Sequence, residues 1–114
     1  MVRAEFDKKN ESISLKLSGH AGAGKKGSDI VCAAATMLCY TAAQVIQYMF
    51  GEDKLEKKPE IRLEEGNACV IAVPKEEYYN ECLHTFFVVQ AGYALLEKSY
   101  PKNVALYSFG EPKP

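Results

Sequence analysis

Two segments of the chain carry apolar residues at helical spacing, and each follows a pair of short segments in which apolar and polar residues alternate. Val2, Ala4 and Phe6 alternate with Arg3, Glu5 and Asp7. Beyond the polar residues 8–11, Ile13, Leu15 and Leu17 alternate with Ser14, Lys16 and Ser18, which predicts a β-hairpin with one buried face. From Ile30 to about Phe50, Val31, Ala34, Ala35, Leu38, Ala42, Val45, Ile46 and Met49 recur at helical spacing, with Asp29 as the N-cap and Gly51 as the stop. The clearly polar members of this helix are only Thr36, Thr41, Gln44 and Gln47, so cover on more than one side is expected, from a sheet, a dimer interface or both. The second round repeats the first. Ile61 and Leu63 alternate with Glu60, Arg62 and Glu64, Glu65-Gly66-Asn67 turns the chain, and residues 68–73 form the return strand. A helix then runs from Pro74 through Lys98, with Tyr79, Leu83, Phe86, Phe87, Gln90, Tyr93 and Leu96 near helical spacing and Pro101 beyond its end. Residues 104–109 read as a last strand. The order ββαββαβ predicts an α+β fold of two layers, a mostly antiparallel sheet packed with two helices.

At 114 residues the chain fits one domain, 1–114, in which 110–114 are expected to form a flexible tail. The composition, 47% apolar and 25% charged, is that of an ordinary globular domain. Fourteen basic against fifteen acidic side chains leave a net charge of −1, so no bulk attraction to nucleic acid or an anionic membrane is available. No stretch reads as membrane-spanning and no basic leader precedes an apolar run, so a soluble, cytoplasmic protein is expected. The four cysteines, 32, 39, 69 and 82, are too sparse for a disulfide framework and fall mostly in apolar patterns; reduced thiols are expected. Cys32 and Cys39 on one helix would stand roughly 10 Å apart, too far for a disulfide.

Between the first hairpin and the first helix lies Gly19-His20-Ala21-Gly22-Ala23-Gly24-Lys25-Lys26-Gly27-Ser28, which holds four of the eight glycines. Such a segment is a loop of functional length. A cysteine nucleophile works as the thiolate, and its reference pKa of about 8.5 is lowered by a helix N-terminus or a neighbouring imidazolium. Cys32, three residues after the Asp29 cap, is expected in the first helical turn, where unpaired N–H groups favour a thiolate and an oxyanion. His20 lies at the far end of a flexible span, within reach of Cys32 on closure, and Thr36 stands one turn further on the same helix face. A structural reading competes, because buried cysteine is a common core residue. Cys39, Cys69 and Cys82 are expected to be core or surface thiols, and His84 an exposed polar position.

Two other chemistries are excluded by spacing. Gly19 to Lys25 matches the start of a phosphate-binding loop, but Lys26 stands where Ser or Thr must hold magnesium, and the preceding strand belongs to a hairpin. Zinc would find two histidines and four cysteines but no C-x-x-C or H-x-x-x-H spacing, so no metal and no cofactor is expected.

Ser18-Gly19-His20-Ala21-Gly22, followed by Gly27-Ser28-Asp29-Ile30-Val31-Cys32-Ala33-Ala34, resembles the signature of the bacterial ribosomal-processing cysteine proteases, the Prp family. The resemblance covers the whole chain in length and order of elements. It implies a catalytic dyad of His20 and Cys32, with the family's usual aspartate at Asp29, where orienting His20 and capping the helix are both open roles. Thr36 stands where the family has serine, and Cys39 and Tyr40 where Thr and Gln are more usual, which reads as repacking. The resemblance implies a homodimer whose substrate is the precursor of ribosomal large-subunit protein twenty-seven, cleaved to remove an N-terminal extension. Family members are described as closing a mobile loop over the peptide, a role that falls to Gly19, Ala21, Gly22, Gly24, Gly27 and Ser28. The alternative is a non-enzymatic ribosome-associated module in which the loop clamps a peptide or RNA segment.

Overall fold

The computed structural model describes residues 1–20 and 26–114, with side chains at 1–20 and 30–114. The elements are β1 (Val2–Lys9), β2 (Ser12–Ser18), α1 (Lys26–Gly51), β3 (Glu60–Glu64), β4 (Asn67–Ala72), a 3-10 turn (Glu76–Tyr78), α2 (Tyr79–Ser99) and β5 (Val104–Tyr107). This is the expected α+β order. The sheet runs β3-β4-β2-β1-β5, and only the β1–β5 pair is parallel.

Register explains why one face is dry. Ala4 pairs with Leu17 and Phe6 with Leu15 across β1 and β2, and Leu15 and Leu17 pair with Val70 and Ala68 across β2 and β4. Side chains alternate between faces along a strand, so these residues share one side and are buried there, while Arg3, Glu5 and Lys16 point to the other. Both helices cover the apolar side. From α1, Val31, Ala35, Cys39, Ala42, Ile46 and Met49 are buried; from α2, Cys82, Phe86, Val89 and Tyr93 are. Tyr93 meets Phe6 edge to face, with ring centroids 5.8 Å apart.

Three expectations are corrected. First, α1 begins at Lys26, so Asp29 is its fourth residue and not its N-cap. Lys26-Gly27-Ser28 contains no apolar residue, so the helical periodicity leaves no mark on that turn. Second, α2 begins at Tyr79 and not at Pro74. Pro74 is buried and forms an isolated antiparallel bridge with Leu55, and Lys75 donates its backbone N–H to the Lys54 carbonyl at 2.9 Å, which holds this stretch extended. Third, Ile30–Gly51 is long and apolar enough to cross a membrane by length and hydropathy. Its inner stripe packs on the sheet, which is what a core helix does.

Candidate active site

The site forms where β2 ends, α1 passes over the sheet and the β3–β4 turn folds back. Gly19 adopts φ +85°, and a side chain there would run into the Met1 carbonyl oxygen, so this corner takes glycine. Its N–H donates to the Gly66 carbonyl at 3.1 Å, tying the end of β2 to the β3–β4 turn. His20 follows, exposed, with its imidazole against Gly66.

Cys32 is half-buried on α1, between Val31, which is fully buried, and Ala33, which is exposed. It is the seventh residue of the helix, near the end of the second turn. The unpaired N–H groups of a helix belong to its first four residues, and the dipole effect fades within the first turn. The expectation that Cys32 occupies the first turn is therefore corrected, and the helix end loses its place as the main support of a thiolate or oxyanion there.

A cavity of about 470 Å³ opens at this corner, and His20, Cys32 and Thr36 all line it. Its floor is apolar, from Val2, Leu17, Ala35, Cys39 and Ala68. Glu64, Glu65 and Asn67 line it from the end of β3, the turn and the start of β4. Cys39 and Tyr40, read from sequence as repacking, are part of the wall. Of the expected loop residues, Gly19 lines the cavity; Ala21, Gly22 and Gly24 lie outside the described residues, and Gly27, Ser28 and Asp29 are described as backbone of α1 only. The wall from 63 to 67 was not legible as part of a site, because Glu65-Gly66-Asn67 carries only a turn signal.

The four thiols differ in what surrounds them. None is in a disulfide; Cys32 is half-buried and Cys39, Cys69 and Cys82 are buried. Burial, with a smaller contribution from Cys69, pushes the Cys39 thiol up to about 11. Burial, helped by Glu81, pushes Cys82 up to about 12. Both stay protonated at neutral pH and have no nucleophilic role there. Cys32 and Cys39 both line the cavity that His20 lines, and Cys32 is the one of the two that is partly exposed there. His84 is exposed, on α2. Among the described residues, no group of three or more His, Cys, Asp or Glu side chains is placed to hold a metal ion.

A thiol and an imidazole on one cavity of an α+β scaffold define a candidate thiol hydrolase. The chain belongs to the Prp family of cysteine proteases: the family model described as "Cysteine protease Prp" matches residues 1–105. No curated protein is similar enough in sequence to count as a match. The fold recurs in the essential ribosomal processing protease Prp from S. aureus in complex with a covalently linked product peptide, at 19% identity over 96% of this chain and 99% of that one, with a TM-score of 0.68. The same S. aureus protease with a substrate peptide aligns at 18% identity over the same shares, with a TM-score of 0.66. SMU.848 from Streptococcus mutans aligns at 23% identity over 94% and 92% of the two chains, with a TM-score of 0.65. At these identities the likenesses establish the fold. Membership of the family makes the chain a cysteine protease, and the binding-only alternative gives way to it.

Proposed function

We propose that the chain removes the N-terminal extension from the precursor of ribosomal large-subunit protein twenty-seven, with Cys32 as nucleophile and His20 as acid and base. The observation that carries this reading is the single cavity that His20 and Cys32 share. The likeness to the S. aureus ribosomal processing protease, whose structures hold a product peptide and a substrate peptide, supports the substrate class.

His20 takes the proton of Cys32, and the thiolate sulfur attacks the scissile carbonyl carbon as the carbonyl electron pair moves to oxygen. With Cys32 in the second turn of α1, the imidazole rather than the helix end carries the activation. The tetrahedral intermediate collapses, the C–N bond breaks, and His20 returns its proton to the leaving amine. Water, deprotonated by His20, then attacks the thioester and releases the acid and the thiol. Thr36, one turn beyond Cys32 and on the same cavity, offers a hydroxyl to the oxyanion. Asp29, the fourth residue of α1, is not its cap, which leaves orienting His20 as the role that the family resemblance offers it.

The protein acts as a homodimer in this reading. Ile30, Met37 and Tyr48 fall on one line along α1 and are 59%, 63% and 63% exposed, an apolar face that a second copy covers.

The test is cleavage of a synthetic precursor peptide spanning the junction by wild type, Cys32→Ala and His20→Ala. Product is expected from wild type alone; wild-type turnover by Cys32→Ala ends the proposal.

A further inference from the structure

Gly66 stands outside the motif that places His20 and Cys32, in the turn between β3 and β4. A side-chain carbon built on it would lie 2.7 Å from Nε2 of His20 and 2.9 Å from Cε1. Atoms of this kind rest about 3.5–4.0 Å apart, so any side chain at 66 would drive the imidazole away by roughly 1 Å. The backbone holds the same two segments together, through the 3.1 Å hydrogen bond from the Gly19 N–H to the Gly66 carbonyl.

We propose that Gly66 is a positioning residue for His20: its missing Cβ is the slot in which the imidazole rests while it serves Cys32. This rests on the reading of His20 as the base. His20 is exposed and its ring is the far end of a side chain that can swing, so a Cβ at 66 moves the ring and leaves the sheet in place. A base must stand within hydrogen-bond reach of the proton it takes. Misplacement of a reacting group by about 1 Å costs on the order of 100-fold in rate.

Gly66 also has φ +75°, a conformation that favours glycine for backbone reasons alone. The two requirements separate by substitution. Asparagine tolerates positive φ and brings a Cβ. Aspartate does the same and is the second variant.

The experiment measures the rate of Cys32 alkylation by iodoacetamide against pH, and the kcat and KM for the precursor peptide. Wild type, Gly66→Asn, Gly66→Asp, His20→Ala and the double variant His20→Ala/Gly66→Asn are compared. Gly66→Asn is expected to unfold in urea near the wild-type midpoint, keep KM, and lose about 100-fold in kcat. Its alkylation profile should approach that of His20→Ala, and in the His20→Ala background the substitution should change nothing further. Wild-type kcat in both Gly66 variants overturns the positioning role alone. An equal loss in both backgrounds also overturns it, since the turn would then act on the fold and not through His20. A wild type whose Cys32 reacts no faster than that of His20→Ala overturns this proposal together with the dyad on which it rests.

Discussion

The phenol of Tyr93 on α2 donates a 2.6 Å hydrogen bond to the carbonyl of Ala35 on α1, three residues beyond Cys32. Both residues are buried. The bond fixes one helix against the other next to the turn that presents the thiol. Tyr93→Phe keeps the ring and deletes the bond, and is expected to lower stability by about 1 kcal/mol in urea unfolding. The rate of Cys32 alkylation should stay within twofold of wild type. A larger change in alkylation with unchanged stability would show that the bond tunes the site and not the packing.

Thr36 tests how much the second polar group on α1 contributes. It is exposed and lines the cavity beside Cys32. Thr36→Val deletes the hydroxyl at constant shape and is expected to lower kcat by roughly 100-fold with KM unchanged, and Thr36→Ser should retain wild-type kcat. Equal activity in all three would remove Thr36 from the mechanism.

The buried thiols set a pH limit on stability. Cys39 and Cys82 are pushed up to about 11 and about 12, chiefly because burial disfavours the thiolate, and burial raises the Tyr93 phenol as well. Below pH 9 both thiols are protonated in folded and unfolded chains alike, and their contribution is constant. Between 9 and 11 to 12 the unfolded chain releases protons that the folded chain keeps, so the unfolded state binds fewer and stability falls as pH rises. The urea midpoint is expected to be flat from pH 7 to 8.5 and to decline from 9 upward, with a shallower decline in Cys82→Ala. A midpoint that rises across that range would contradict the assignment.

The outer face of α1 gives a prediction about assembly. Tyr48 lies at the far end of the line that starts at Ile30, and α1 carries no Asp, Glu, Lys or Arg from Ile30 to Gly51. Tyr48→Glu places a charge there and is expected to convert a dimer to a monomer in sedimentation velocity. A wild type that sediments as a monomer would remove the second copy from the account.

Much of this architecture was legible because alternation and helical spacing are direct marks of burial: Phe6, Leu15, Ala35 and Ile46 all lie where their periods put them. The ends of the helices were not, because Lys26-Gly27-Ser28 lacks an apolar residue and Pro74 is a common helix opener that here pairs with Leu55. The site divides in the same way. His20, Cys32 and Thr36, singled out in the sequence chiefly through the resemblance to the family signature, line one cavity. Gly66 contributes an absence, visible only once the β3–β4 turn lies against the end of β2.

The most direct measurement is the site of the acyl group during turnover. A thioester of the precursor's extension peptide is mixed with the protein, quenched in acid within one turnover, and the adduct is located by intact mass and peptide mapping. The expected result is one acyl group on Cys32 in wild type, its accumulation slowed in His20→Ala, and none in Cys32→Ala. An acyl group mapped to another residue, or turnover by Cys32→Ala at the wild-type rate, would contradict the assignment of Cys32 as the nucleophile.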